Sequence, residues 1–335
     1  MLKLEFKDFM EYFPVNLLDL SFKSVSKVRG KVLEVYDTPP ADGIQNHFIE
    51  DGILNIKNLP INIDDRLIKL KPLNSYTPII GLDTSHRRIG VTRDGVVYAF
   101  RGAIVWKDTY TYRYIRYGPF IFHFTCLDKV FRKNESTSVN NPLDFEHRFQ
   151  NTVEKSLQWY IAQAVSNSII IFDGCLSNQS TDPEILDLAR KKGNKVLAIS
   201  KKSKIYIGNE NVLLRLKKFQ PPWMLRVDDL LPKNISSTIL GQVFLAKFSS
   251  ESIGFRVDID SKLCFEDIVN SIGKLIGNDI LSQGYPETLR LAHILSTFTK
   301  IEVLGIQRLM TKKFGVKVEK LQSTRKMLFG PFAKW

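Results

Sequence analysis

Cysteine is scarce in this chain. Three stand among 335 residues, Cys126, Cys175 and Cys264, all far apart. They form no Cys-x-x-Cys pair and no Cys/His ligand pattern, which excludes the common zinc sites. With no recognisable signal peptide, this points to a reducing, cytoplasmic setting. Long apolar runs are missing as well. None approaches the roughly 20 residues that a membrane-crossing helix needs, so no membrane insertion is expected. Internal repeats and low-complexity tracts are absent. Acidic residues are outnumbered, 35 against 48 basic ones, leaving a net charge of +13. That surplus favours an anionic partner, nucleic acid before an acidic membrane surface. It is also compatible with a basic but otherwise ordinary enzyme.

What the chain does contain is core material. Hydrophobic residues make up 44%, with 22 Phe and 11 Tyr, which excludes a disordered chain. The length allows one large domain or two ordinary ones. The strongest local signal is Ser168 to Leu176. Three isoleucines and a phenylalanine run into Asp173 and Gly174. A continuous apolar run ending in a turn signal reads as a strand buried on both faces, central in an α/β sheet. Asp173 then stands at the carboxyl end, the edge where open α/β sheets bind ligands. By itself it could equally cap a turn.

A second apolar strand, from Pro78, ends in Asp83. Strand-like runs follow at Arg88–Thr92 and Val96–Phe100, joined by Asp94-Gly95, a strong hairpin signal. More strand-like sequence follows to Phe124. From about Leu143 to Val165 the period changes. Phe145, Phe149, Val153, Leu157, Tyr160, Ile161 and Ala164 recur at three and four, as in an amphipathic helix. Glu154 lies beside Val153 at the margin of that face. After Asp173, a helix from Asp182 and a strand at Lys195–Ser200 complete a βαβ unit. A second hairpin is expected over 242–258, and helices over 265–276 and from Pro286. Near the start, helices are expected at 4–13 and 17–25. The tail at 326–335 is apolar and basic.

The order of the acidic residues carries the chemistry. If the strands ending in Asp83 and Asp173 are parallel neighbours, their ends lie about 4.8 Å apart. A helix over that edge can bring Glu154 to them. Three carboxylates can share a small site only with cations to neutralise them. Hard oxygen ligands without cysteine select Mg²⁺ or Mn²⁺. Two such ions, roughly 3.5–4 Å apart, promote phosphodiester hydrolysis. A basic chain with that site fits a nuclease better than a small-molecule phosphatase. His86, Arg87 and Arg88 fit phosphate contacts and equally fit a charged turn. Tyr112, Arg113 and Arg116, in an alternating Tyr/Arg segment, fit base stacking and phosphate binding. They fit the outer face of an ordinary strand equally well.

Five motifs can be set in sequence. They are Gly81-Leu82-Asp83-Thr84-Ser85, Glu154 lying 19 residues before Asp173, Phe172-Asp173-Gly174-Cys175-Leu176, Ile199-Ser200-Lys201, and Tyr285 with His293 in the stretch Gly284 to His293. In this order they resemble the archaeal NurA nuclease family of the ribonuclease H superfamily. The fold implied is α/β, a ribonuclease H-like mixed central sheet flanked by helices, with N- and C-terminal helical extensions. The implied bounds are an extension over 1–75, a nuclease core over 76–300 with an insertion at about 205–260, and a second extension over 301–335. The implied activity is that of a Mn²⁺-dependent deoxyribonuclease, with Mg²⁺ as the alternative and two ions per active site. It combines 5′–3′ exonuclease and single-strand endonuclease action at DNA ends, in recombination repair. The implied partners are DNA, a second copy in a homodimer, and a HerA-type hexameric translocase. By carry-over, Asp83, Glu154 and Asp173 hold metal, His293 is a further metal ligand or assists at the second metal, Tyr285 positions substrate or water, and Lys201 meets phosphate charge. Two residues depart from the family pattern: Thr84 stands where glycine is usual and Cys175 where serine is. A DNA-binding translocase adaptor without turnover is the alternative from another class. A ribonuclease or structure-specific endonuclease is the alternative within the fold.

Overall fold

A computed structural model describes residues 17–36, 54–55, 66–125, 142–176, 182–200, 205–207, 209–231, 239–251 and 254–321. The helix expected at 4–13, Lys201 and the tail at 326–335 lie outside the described residues.

Among the described residues, eleven strands form one mixed sheet. In chain order they are β1 (Val32–Tyr36), β2 (Leu67–Lys69), β3 (Ile79–Thr92), β4 (Gly95–Lys107), β5 (Tyr112–Thr125), β6 (Ile169–Asp173), β7 (Lys195–Ser200), β8 (Trp223–Arg226), β9 (Gly241–Lys247), β10 (Phe255–Asp260) and β11 (Lys317–Leu321). The helices that flank it are α1 (Leu17–Ser26), α2 (Pro142–Ala164), α3 (Asp182–Lys191), α4 (Phe265–Asn278), α5 (Glu287–Ser296) and α6 (Lys300–Phe314). The strand order is β11-β1-β3-β6-β7-β10-β9-β8-β2, with β4 on the other edge of β3 and β5 beyond it. The architecture is the mixed α/β sheet with flanking helices that the sequence pattern predicts.

The isoleucine run explains why β6 is central. Ile169, Ile170, Ile171 and Phe172 are all buried. Alternate side chains serve opposite faces. Ile170 and Phe172 join Ile80, Leu82, Val153, Leu157 and Ile185 in one core, under α2 and α3. Ile169 and Ile171 join Ile79, Leu197, Ile268, Ile272 and Leu289 in another, under α4 and α5. β6 pairs in parallel with both β3 and β7, as the βαβ pattern requires. The two runs at 78–85 and 88–92 are one long strand, β3, with an irregularity between Arg88 and Gly90. The Asp94-Gly95 turn joins it to β4. The 242–258 hairpin is present as β9 and β10, and it extends the same sheet through β7. Strands from both ends of the described chain, β1 and β11, pair with each other, and β1 pairs with β3.

β3 is interrupted on one edge. It pairs with β6 only as far as Leu82 opposite Phe172. β1 takes up that edge at Val91 opposite Glu34. The other edge is paired with β4 throughout, from Ile79 to Thr92. Asp83 is therefore the first residue of β3 beyond its pairing with β6, level with Asp173 at the end of β6.

α6 is fixed at its start by a charged contact. Thr299 and Glu302 form a reciprocal capping box. Glu302 also pairs with Arg101 at 2.9 Å and Arg116 at 2.8 Å. Burial pushes its carboxyl up. The hydrogen bonds from Arg101, the Thr299 backbone and Arg116 outweigh that and hold it at about 2, below the ordinary 4.5. A depressed carboxyl stabilises the fold above its unfolded value and loses that contribution as pH falls. Acid titration from pH 4.5 towards 2 is therefore expected to loosen α6, and Glu302→Gln to remove that pH dependence. Hydrogen exchange of the α6 amides checks both.

Candidate metal centre

Asp83 and Asp173 follow directly on the last β3–β6 register pair, so the parallel pairing brings their carboxylates together. Both lie on the α5 face, because residues 81, 83, 171 and 173 alternate away from the α2 face. α5 sits close against β3 there. A Cβ at Gly81 would lie 3.1 Å from the backbone of both Thr288 and Leu289. Glycine is thus what lets α5 approach and deliver its last turn to Asp83. Gly81→Val is expected to push α5 outward, lower stability by about 1–3 kcal/mol through overpacking, and weaken divalent-ion binding. Thermal melting and Mn²⁺ titration of the same variant check it.

His293 and Ser296 arrive from that last turn. His293 Nδ1 is 3.0 Å from Asp83 Oδ2. Ser296 is fully buried, and its hydroxyl donates to the same oxygen at 2.6 Å. Tyr285 precedes α5, in a small hairpin packed edge-on against Phe255. Its hydroxyl donates to Asp173 Oδ1 at 3.4 Å. Burial first, then the charges of Asp173 and Asp83, push its phenol far above the ordinary range. Tyr285 therefore stays a neutral donor to the carboxylates. The start of α5 is held from a distance. Buried Asp279 accepts from the backbone N–H of Thr288 at 3.1 Å and from the Tyr112 hydroxyl at 2.6 Å.

Asp83, Asp173 and His293 each offer a ligand atom, and these atoms lie within 4.8 Å of one another. Two carboxylates and an imidazole in that space are the donor set of a hard divalent cation that also accepts nitrogen. Without a cation, like charges at this separation oppose each other. The residues fit a divalent metal.

Glu154 lies on the other side of the sheet, on α2. Its Oε2 accepts from the Thr84 hydroxyl at 3.1 Å and its Oε1 from Gln158 at 3.0 Å. It is outside the three-residue cluster, yet it lines one cavity with Asp173, Asn151, Lys155, Cys175 and Asp182. That cavity opens about 60 Å³ to water, room for about four to six waters. Lys155 is held across it by Asp182 at 2.6 Å. Asp173 thus belongs both to the cluster and to the cavity.

The residues expected to meet nucleic acid are spread. His86 faces inward, its Nδ1 against Gln150 and its ring packed on Tyr98 and Phe100. Arg87 is exposed and Arg88 half-buried. Tyr112 is committed to Asp279. Arg113 is 3.6 Å from Asp108 and Arg116 pairs with Glu302.

Sequence reasoning missed Ser296, Gln150 and Gln158. Each had a signal. Ser296 is three residues after His293 and so shares its helix face. Glu146, Gln150, Glu154 and Gln158 recur every four residues, a polar stripe beside the apolar face of α2. Glu146 and Gln158 are buried.

No family model matches this chain, and no curated protein matches it. Solved structures do. A NurA nuclease from Sulfolobus solfataricus is 15% identical, with a TM-score of 0.52 over 77% of this chain and 90% of that one. A NurA structure determined with manganese is 10% identical, with a TM-score of 0.46 over 76% of this chain and 94% of that one. An endonuclease V from Bacillus subtilis is 11% identical, with a TM-score of 0.34 over 75% and 90%. The chain has a NurA-like fold.

Proposed function

We propose that this protein, with its NurA-like fold, is a divalent-metal-dependent nuclease that cuts DNA. The observation that carries the proposal is the convergence of Asp83, Asp173 and His293 at an interrupted sheet edge. Asp83, Asp173 and His293 would hold one cation, and Asp173 and Glu154, which line one cavity, would hold a second. Such ions supply an activated water and stabilise the leaving oxygen in phosphodiester hydrolysis. The chain's own groups do the rest. Ser296 fixes the Asp83 carboxylate. Tyr285, always protonated, orients Asp173, and the family resemblance gives it the positioning of substrate or water. Exposed Arg87 meets the phosphate backbone, and half-buried Arg88, on the opposite face of β3, adds positive charge to the same strand. Arg113 and Arg116 extend that contact, while His86 and Tyr112 support the site from within. Lys201 neutralises phosphate charge. The net charge of +13 supplies the general attraction to DNA.

Mn²⁺ is the preferred ion, since it takes an imidazole beside carboxylates. The finer reading follows the family resemblance of the motifs: 5′–3′ exonuclease and single-strand endonuclease action at DNA ends, in recombination repair. There the protein works as a homodimer beside a HerA-type translocase. Among the described residues no helix is long and apolar enough to cross a membrane, and the proposed setting is cytoplasmic.

The test uses labelled single-stranded DNA, double-stranded DNA, RNA and hybrid with Mn²⁺, Mg²⁺ or EDTA. Degradation of DNA that needs the divalent ion is the expected result. DNA binding without cutting under every ion would make the protein an adaptor, and preferential RNA cleavage would change its substrate.

A further inference from the structure

We propose that Thr84 is a positioning residue: it holds the Glu154 carboxylate ready for the second cation. The proposal rests on the reading of Glu154 as a ligand.

Asp83 and Thr84 are neighbours in a strand, so their side chains serve opposite faces of the sheet. Asp83 meets α5, and Thr84 meets α2. α2 is seated close. The residue opposite Thr84 in β4 is Gly102, where a Cβ would come within 2.4 Å of Leu157 Cδ1. This puts the stripe Glu146–Gln150–Glu154–Gln158 against the β3 edge.

The hydrogen bonds there have a direction. Gln150 turns its amide oxygen to His86 Nδ1, so its NH₂ group faces Thr84. That group donates to the Thr84 carbonyl at 3.1 Å and reaches the Thr84 hydroxyl oxygen at 3.4 Å. A hydroxyl has one proton to give. With Gln150 donating to it, Thr84 directs that proton to Glu154 Oε2, at 3.1 Å. Gln158 donates to the other oxygen at 3.0 Å. These two donors are neutral. They orient the side chain of Glu154, and neither brings a charge of its own to the carboxylate. Ordering the carboxylate during folding removes that cost from ion binding.

Thr84→Val keeps the shape and one methyl but removes the proton. Outer-shell partners of a metal ligand typically contribute about 10–100-fold in metal affinity. Calorimetric Mn²⁺ titration of the full chain, with no DNA present, reads each ion separately. The wild type is expected to bind two ions. In Thr84→Val the ion that Glu154→Gln abolishes should bind about 10–100-fold more weakly, with the other unchanged. Thr84→Ser should restore it. Thr84→Ala, with the same expectation, serves if the valine variant fails to fold. Loss of an ion in Glu154→Gln but not in Thr84→Val or Thr84→Ala would overturn the role of Thr84 alone. Equal weakening of both ions by those variants would reduce Thr84 to a packing residue and overturn it too. An unchanged titration in Glu154→Gln would instead overturn the reading of Glu154 as a ligand.

Discussion

Asp173→Asn is expected to abolish both divalent-ion binding and DNA cleavage while leaving the fold intact. The loss should exceed the roughly 10–100-fold typical of an outer-shell partner, because the proposed function makes Asp173 a direct ligand shared by both ions. Among the described residues, only Asp173 lies both in the cluster with Asp83 and His293 and in the cavity with Glu154. Asparagine keeps the shape, and its side-chain oxygen still accepts from Tyr285. What disappears is the negative charge. Since that charge sits next to Asp83, thermal stability without metal should hold or rise. Mn²⁺ titration, digestion of labelled DNA and a melting curve, made on one preparation, separate these effects. A variant that binds Mn²⁺ and cuts normally would remove Asp173 from the site.

The largest stability effect is expected from Arg256→Met. Arg256 and Asp258 form a two-bonded ion pair on β10, Nε to Oδ1 and the terminal nitrogen to Oδ2, each at 2.7 Å. Arg256 is 3% exposed and Asp258 0%. Removing one partner of a buried pair leaves the other charge uncompensated, at about 3–5 kcal/mol. Asp258 also accepts from the Leu176 backbone N–H at 3.1 Å. Leu176 is three residues beyond Asp173, so the same loss loosens the segment leaving β6. Burial already pushes the Asp258 carboxyl up, against the pull of Arg256. Without Arg256 it should rise further and take a proton. A carboxyl raised in the fold destabilises it as pH rises. The deficit should therefore be large at neutral pH and shrink in acid. Replacing Asp258 by Met as well should recover part of it, since an apolar pair in place of a buried ion pair is near neutral. The remaining deficit is the Leu176 N–H without an acceptor, about 1–3 kcal/mol. Denaturant unfolding of the single and double variants at two pH values measures all three terms.

The α/β core was legible because its signals are local. A run of isoleucines buried on both faces, an Asp-Gly hairpin and a helix of clear period each act within about 20 residues. The approach of Asp83 to Asp173 rested on one condition, that their strands are parallel neighbours, and β3 and β6 meet it. The width of the sheet was not legible. β1 and β11 are short and come from distant parts of the chain, and nothing in either run names the other as its partner. Glu154 was placed on the right helix, but its face was not foreseen. Residues 83 and 84 point to opposite sides of β3, so the acids approach the strand end from two faces instead of one. Thr84 stood out only as a departure from a family pattern. Its hydrogen bond to Glu154 gives that departure a physical reason.

The most direct measurement is a crystal structure of the protein soaked in Mn²⁺, read by anomalous scattering. A peak bound by Asp83, Asp173 and His293 is expected, with a second between Asp173 and Glu154 on the α2 side. Ions elsewhere on the surface, with none at Asp83 and Asp173, would contradict that expectation.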